Sequence, residues 1–197
     1  LVTGVQTCAL AIYLSVLLDE MRLLARLADD LRTVALAEAG TLALHRDPTY
    51  LGILVTEVAE AFDPQARTTD VTIEVSASDD LPLADVDPVR LREVLENLLS
   101  NALRYAPAGS VVRLVATPID ASRVTFEVTD SGPGIAPELL PHLFDRFVKS
   151  ERSPGSGLGL AIAKGIVEAH RGQIEASNLE APATGTRIRF ELPVDAA

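Results

Sequence analysis

The apolar residues of this chain change their spacing along the sequence, and this change constrains the fold more than any other feature. Between residues 48 and 192, runs with a helical period alternate with runs of period two, without a regular strand–helix–strand repeat. This order predicts an α+β fold, a two-layer sandwich with helices covering one face of a mixed sheet. The 197 residues, 48% of them hydrophobic, are enough for a buried core and exclude intrinsic disorder.

Two of the predicted helices begin at an Asp-Pro pair, in which the aspartate is the N-cap and the proline is the first helical residue. These pairs are Asp47 with Pro48 and Asp87 with Pro88. The sequence predicts helices at 48–62, 88–105 and 157–170, and strands at 41–46, 71–75, 83–86, 110–117, 123–130, 173–177 and 186–192.

A separate long helix is predicted before the sandwich, because apolar residues recur every three or four positions up to a helix stop at Gly40. They are Leu14, Leu17, Met21, Leu24, Ala28, Leu31 and Ala35. We call these seven residues the heptad seam. It favours a bundle or dimer helix over the alternative, a helix packed only on its own domain.

The predicted organisation is an unassigned end at 1–12, which belongs to no recognisable pattern and suggests a foreign or misread segment, then the long helix at 13–40. A linker at 41–48 and one main domain at 49–195 follow. Residues 1–18 carry no charged side chain, but polar residues interrupt the segment and no basic region precedes it. A membrane span is therefore not favoured there.

The net charge of −11 argues against nonspecific binding of nucleic acid or of an anionic membrane, since both need a clustered basic face. A single cysteine cannot form an internal disulfide. The surplus of acid lies mainly in residues 51–150, which contain 16 acidic and 8 basic side chains. A polyphosphate ligand in that region would need local donors and a divalent cation.

The helix predicted at 88–105 carries an unusual polar row. Asn97 and Asn101 lie one turn apart, and Arg104 and Tyr105 continue the row. Asparagine is a poor helix former and is costly to bury, so these side chains need partners. Carboxamide oxygens suit Mg²⁺ when phosphates complete its shell, and an arginine can bond the same phosphates. The alternative is that the asparagines only cap neighbouring loops.

Two glycine-rich segments follow. The strand predicted at 123–130 ends at Asp130, after which Gly132 and Gly134 allow a tight turn. A buried aspartate there can accept a hydrogen bond from an exocyclic amine and so select adenine, although a simple turn explains the segment equally well. Residues 155–163 (GSGLGLAIA) lead glycines into a helix, which suits an anion, but match neither the Walker A nor the Rossmann pattern.

Between the glycine segments lies a predicted lid. Phe144 and Phe147 precede a polar run, 148–154, that contains Lys149 and Arg152. The two cations are suited to face phosphate, and the aromatic residues would anchor the lid at its base. For each phenylalanine by itself, ordinary core packing is the favoured alternative.

Four segments stand in order: 97–102 (NLLSNA), 130–135 (DSGPGI), 144–147 (FDRF) and 157–160 (GLGL). Together they resemble the N, first glycine, F and second glycine boxes of sensor histidine kinases. The long helix resembles the second helix of the dimerisation and phosphoacceptor hairpin in that family. The remainder resembles the ATP-binding domain shared with gyrase, the Hsp90 chaperones and MutL.

The resemblance implies that the domain binds ATP or ADP together with Mg²⁺, which Asn101 would ligate with the help of Asn97. Asp130 would bind the adenine amine, and Arg104 and Tyr105 would contact phosphate and nucleotide. The nucleotide-binding residues that it implies are Asn97, Asn101, Arg104, Tyr105, Asp130, Gly132, Gly134, Ile135, Phe144, Phe147, Lys149, Arg152, Gly157, Leu158, Gly159, Leu160 and Thr186. Only nine residues separate Phe147 from Gly157, fewer than in many relatives.

The implied activity is transfer of the γ-phosphoryl group of ATP to a histidine and then to a response-regulator aspartate. Hydrolysing relatives place a glutamate, which can act as a general base, where this chain has Asn97, so an ATPase is disfavoured. None of His45, His142 and His170 stands in a phosphoacceptor motif. His170 is interpreted as a charge at the end of a helix. We therefore expect a fragment without its acceptor histidine.

The expected partners are the nucleotide, a phosphoacceptor hairpin, a response-regulator receiver domain and, in the full protein, a second copy of the chain, but no nucleic acid. The fragment is expected in the cytoplasm, and anchoring of the parent protein in the inner membrane stays open. The alternatives are a non-catalytic nucleotide-binding or dimerisation module, and a serine kinase or ATPase of the same superfamily.

Overall fold

A computed structural model describes residues 2–148 and 156–194 of the chain. Its helices are α1 (Val2–Glu38), α2 (Leu51–Thr68), α3 (Pro88–Tyr105) and α4 (Gly159–Ala169). Its strands are β1 (Asp47–Tyr50), β2 (Thr72–Ala77), β3 (Leu83–Val86), β4 (Val111–Asp120), β5 (Arg123–Thr129), β6 (Gln173–Asn178) and β7 (Thr186–Pro193). The predicted α+β class is confirmed.

A five-stranded mixed sheet in the order β2-β4-β5-β7-β6 forms one layer. Strand β2 pairs in parallel with β4, and the other neighbours are antiparallel. Alternate residues of β5 and β7 are buried, as the period of two predicts. Phe126 and Phe190 lie opposite each other in the register and stack with ring centroids 4.6 Å apart, which places the core under the middle of the sheet.

Helices α2, α3 and α4 cover one face of this sheet and leave the other to charged side chains. The apolar stripe of α3, from Leu91 to Leu103, is buried almost completely. On the opposite face, ion pairs join neighbouring strands, such as Arg113 with Glu74 at 2.9 Å and Arg187 with Glu127 at 3.2 Å. The sheet is therefore solvated on one side, as expected for antiparallel strands.

The prediction for residues 41–50 is wrong. Residues 41–46 form no strand, and Asp47 and Pro48 begin strand β1, which pairs with β3, rather than a helix. Helix α2 starts only at Leu51, without a side-chain cap. Proline is tolerated in β1 because this strand has a single partner, so its missing N–H breaks no central ladder.

The second Asp-Pro pair behaves as predicted. Asp87 caps α3 by accepting hydrogen bonds from the N–H groups of Val89 and Arg90, at 3.1 and 3.0 Å. Its other carboxylate oxygen accepts the N–H of His45 at 2.8 Å, which ties the segment before β1 to the start of α3. The capping residue Asp87 thus also fixes the segment that leads into β1.

His170 is not the helix-end charge that the sequence suggested. Its side chain is buried; Nδ1 lies 2.9 Å from the Ile166 carbonyl oxygen, and Nε2 accepts the N–H of Asp87 at 3.1 Å. Burial lowers the pKa of this imidazole from its ordinary value. His170 is therefore a neutral bridge between the end of α4 and the start of α3.

Helix α1 packs against α4 through one face, on which Thr33 and Val34 are 4% and 2% exposed. The heptad seam lies elsewhere on the helix and is exposed, with Met21 at 66% and Leu24 at 65%. No helix among the described residues combines the length and the apolar character that a membrane span needs.

Candidate functional site

A cavity of about 510 Å³ lies between α3, the loop after β5, the start of α4 and one face of α1. This volume is in the range of small-molecule sites. About half of the side chains around it are apolar, and the others are polar. The polar residues are Arg26, Asp30, Asn97, Ser100, Asn101, Arg104, Tyr105, Asp130, Ser156 and Thr186.

Asp130 is the buried carboxylate at one end of the cavity. Its Oδ1 accepts the N–H of Gly132 at 2.7 Å and the N–H of Thr186 at 3.3 Å, and its own N–H donates to the Thr186 carbonyl at 3.0 Å. Burial raises the pKa of the Asp130 carboxyl, although these hydrogen bonds oppose the shift. The end of β5 and the start of β7 thus hold one carboxyl group in a fixed orientation.

The glycines around Asp130 are required by close approach of the backbone. Gly185 is buried with a φ of 140°, and a Cβ there would overlap the Asp130 carbonyl oxygen. A Cβ on Gly132 would lie 2.9 Å from the Tyr105 carbonyl oxygen, closer than real Cβ contacts. Any larger residue at either position would push the loop away from its neighbours.

Asn178, the last residue of β6, holds the loop after β5 in place and is a site-supporting residue that the sequence did not reveal. Its amide makes two hydrogen bonds with the backbone of Ile135, both at 2.7 Å, one from the Ile135 N–H and one to its carbonyl. Gly134, beside it, has a φ of 78°. The sequence contains little signal for this role, because the hydrogen-bond partner of Asn178 lies 43 residues away.

Asn97 and Asn101 project from α3 into the cavity, as do Arg104 and Tyr105 further along. Within residues 2–148 and 156–194, no group hydrogen-bonds to either carboxamide, so both have oxygens to offer a ligand. Neutral oxygen donors with room for phosphate oxygens are a set that fits Mg²⁺. No cluster of three or more His, Cys, Asp or Glu side chains able to hold a metal occurs in the described residues.

The start of α4 lies directly against Asn97. A Cβ on Gly159 would lie 2.8 Å from the Asn97 Oδ1, so a larger residue there would displace the Asn97 carboxamide. Gly157 has a φ of 71°, and its carbonyl accepts the N–H of Phe147 at 2.9 Å. The N–H groups of the first turn of α4 therefore lie beside the polar row of α3, an arrangement that favours an anion.

The structure does not bring every expected site residue to the cavity. Gly134, Ile135, Gly157, Gly159, Leu160 and Thr186 line it, whereas Gly132, Phe144, Phe147 and Leu158 do not. Phe144 packs on the core, as its alternative predicted, but Phe147 is 62% exposed with a φ of 62°. Lys149 and Arg152 lie outside the described residues.

No glutamate of the described residues lines the cavity. Glu93 is paired with Arg90 at 2.6 Å, and Glu96 does not reach the lining. The carboxylates that do line it are Asp130 and Asp30, of which Asp30 belongs to α1. On α3, the position at which the resemblance to hydrolysing relatives implies a general base holds the neutral Asn97.

The fold and this cavity identify a class of protein. Residues 86–196 match the family of histidine kinase-, DNA gyrase B-, and HSP90-like ATPases, and the chain belongs to it. Within that family, its relatives are sensor histidine kinases, and the chain carries their ATP-binding catalytic domain.

The signal transduction histidine-protein kinase BaeS of Escherichia coli (strain K12) is 36% identical over 182 residues, which are 89% of this chain and 38% of BaeS. Full-length ShkA, solved in complex with AMPPNP, has a TM-score of 0.79 and 34% identity over 88% of this chain and 36% of its own. The histidine kinase AdeS of Acinetobacter baumannii has a TM-score of 0.75 and 27% identity, covering 90% of this chain and 82% of its own. The chain thus spans under half the length of BaeS.

Proposed function

We propose that this domain binds ATP with Mg²⁺ and passes the γ-phosphoryl group to a histidine on a dimerisation hairpin, which in turn supplies a response-regulator aspartate. The observation that carries the proposal is Asp130. Its Oδ1 is held by two backbone N–H groups in a cavity of nucleotide size, so its carboxyl group can accept a hydrogen bond from the adenine amine.

The opposite end of the cavity suits the triphosphate. The carboxamides of Asn97 and Asn101 are the ligands proposed for Mg²⁺, which when bound would neutralise charge on the phosphates. Arg104 is exposed beside them and can pair with phosphate oxygens. The N–H groups that begin α4 add a positive dipole at the same place.

The side chains at the proposed phosphate site support phosphoryl transfer over hydrolysis. A histidine nitrogen from the hairpin would attack the γ-phosphorus, the bond to the bridging oxygen would break, and ADP would leave. A receiver-domain carboxylate oxygen would later displace the histidine from the phosphoryl group. Asn97 cannot take a proton from water at neutral pH, so the site positions ATP without activating water.

The proposed protein partners follow from the chain's relatives and from α1. BaeS is a signal transduction histidine-protein kinase. The exposed heptad seam is suited to a hairpin helix and to a second copy of the chain. A non-catalytic nucleotide-binding module is the second candidate, favoured by the absence of an acceptor motif around any of the three histidines.

Labelling in trans tests the proposal. The chain is incubated with Mg²⁺ and γ-labelled ATP, alone and with a separately produced hairpin from a close relative, and with the same hairpin carrying alanine at its histidine. We expect acid-labile label on the intact hairpin only. Binding of ATP without label on the hairpin would support the second candidate, and acid-labile label on the chain itself would contradict the missing acceptor.

A further inference from the structure

Helix α1 has two functional faces on opposite sides. The residues directed toward the ATP-binding domain include Arg26, Asp30, Thr33 and Ala37, each two positions after a member of the heptad seam. Two residues correspond to about 200° around a helix, so the docked face and the heptad seam point in opposite directions. Docking on the domain therefore leaves the heptad seam free.

Contacts at the end of α1 set its direction along α4. Ala37 lies against Gly165, where an added Cβ would come within 2.5 Å of the Ala37 Cβ. Glu38 forms an ion pair with Arg146, in the segment 144–147. Val34 and Ala161, each about one turn earlier on its helix, border one small cavity, which is the order expected when the two helices run in parallel.

Because of this direction, α1 reaches the phosphate end of the nucleotide cavity, beside Asn97 and Gly159. From Ala37 back to Asp30 is a rise of about 10 Å, and from Gly165 back to Gly159 about 9 Å, so Asp30 stands level with Gly159. Gly159 is the residue that abuts Asn97. In agreement, Arg26, Leu27 and Asp30 line this cavity, and they are spaced to share one face of α1.

The two charged residues of this face have opposite charges and different surroundings. Arg26 is exposed, whereas Asp30 is partly buried, and burial raises the pKa of its carboxyl while Arg26 opposes the shift. A carboxylate removed from water is poorly screened. An anion in the cavity would therefore be repelled by Asp30 and attracted by Arg26.

We propose that the docked α1 forms one wall of the phosphate end, where Arg26 strengthens and Asp30 weakens the binding of a nucleoside polyphosphate. The inference rests on the proposed function and extends it, because it makes a residue pair outside the ATP-binding domain part of the nucleotide site. Nucleotide affinity then depends on whether α1 is docked.

The test compares Arg26→Gln and Asp30→Asn with the unaltered chain by calorimetry, using ATP and ADP with Mg²⁺ and, as an uncharged probe, adenosine. We expect ATP to bind about three- to tenfold more weakly to R26Q and about two- to fivefold more tightly to D30N, with smaller changes for ADP. Adenosine affinity should not change. Arg32→Gln is the matched control, since Arg32 is exposed on the same helix and does not line the nucleotide cavity.

Equal ATP affinity of R26Q, D30N and the unaltered chain would overturn the inference while leaving the proposed function intact. Equal changes for ATP and adenosine would also overturn it, because they would indicate an altered fold. If the unaltered chain bound neither ATP nor ADP, the proposed function would fail, and the inference with it. High salt should reduce the two effects together.

Discussion

At the scale of single residues, the site is organised around Asp130. Its side chain is positioned by two backbone N–H groups. Gly185 has no Cβ, so the chain entering β7 can pass close to the Asp130 carbonyl oxygen. The cost is a carboxyl group kept away from water, which raises its pKa. Such a group is poorly explained by stability alone and is typical of a position that serves a ligand.

The variant Asp130→Asn should separate stability from binding. Asparagine can keep the Oδ1 contacts but presents an NH₂ group where the second oxygen was, so it would oppose the adenine amine. We expect adenine nucleotide affinity to fall by about 30-fold or more, as for the loss of a buried charged hydrogen bond. Calorimetry with ATP and with ADP measures the change.

For the stability of D130N, in contrast to its nucleotide affinity, we expect no loss. Because the pKa of Asp130 is raised in the folded state, ionisation costs stability, which is lost as the pH rises through the folded pKa. Without nucleotide at pH 7.5, D130N should be at least as stable as the unaltered chain in urea unfolding. Asp63→Asn, on the exposed surface of α2, is the control for both measurements. Unchanged affinity would remove Asp130 from its proposed role.

At the scale of elements, α3 is the central support of the site. Its apolar stripe is buried under the sheet, its polar row lines the cavity, and its start is capped by Asp87. His170 connects that start to the end of α4 by accepting the Asp87 N–H. The helices that bear Asn101 and Gly159 are thus joined at ends that do not line the cavity.

This connection predicts a pH dependence of stability. The pKa of His170 is lowered in the folded state, mainly by burial, with Arg46 adding to the shift and Asp87 opposing it. Below pH about 6.5 the unfolded chain binds a proton that the folded chain resists. The free energy of unfolding should therefore fall as the pH is lowered from that value toward the folded pKa.

In His170→Gln this part of the pH dependence should be absent, and stability at pH 8 should fall by about 1–2 kcal/mol because the two hydrogen bonds are disturbed. Urea unfolding between pH 5 and 8 measures both effects. His45→Gln is the control, since the His45 side chain is exposed and only its backbone N–H bonds Asp87. If the free energy of unfolding changes with pH equally in H170Q and in the unaltered chain, His170 does not contribute to the pH dependence.

At the scale of the whole molecule, α1 has two faces with different contacts. One face packs on α4 and lines the cavity, and the other exposes the heptad seam, including Leu14, Leu17 and Leu31 at 52%, 54% and 47%. A run of exposed leucines on one helix face is typical of an interface with another helix. The chain covers only 38% of BaeS, so such a helix can lie in the same protein or in a second copy.

Replacement of the most exposed members of the heptad seam tests this interface. We expect the mass of the unaltered chain to rise with concentration above 21.0 kDa in sedimentation equilibrium. Met21→Asp combined with Leu24→Asp should weaken association by more than about tenfold, because two charges would be buried in an apolar interface. ATP affinity should not change.

Glu20→Gln is the control for this experiment, since Glu20 is exposed on α1 and lies outside the heptad seam. If the double variant associates as well as the unaltered chain, the interface is elsewhere. If the unaltered chain stays at 21.0 kDa at every concentration, the heptad seam needs a different helix and not a second copy.

Local signals in the sequence determined much of this protein. Hydrophobic period and capping residues predicted the helix bearing Asn97 and Asn101 to the residue, and the strand that ends before Asp130 to within one position. Four short motifs in order predicted the ATP-binding class, which the relatives confirm. These features could be predicted because each depends on neighbours within a turn of helix or along one strand.

Only the tertiary structure decided the rest. Asp47 and Pro48 have the local pattern of a helix start, yet pairing with β3 makes them a strand. His170 has a lowered pKa because folding buries it, beside the backbone N–H of Asp87, 83 residues away. Arg26 and Asp30 reach the nucleotide cavity through the packing of α1 on α4. Such contacts join distant parts of the chain, and the free energy that selects them comes from burial that no local pattern records.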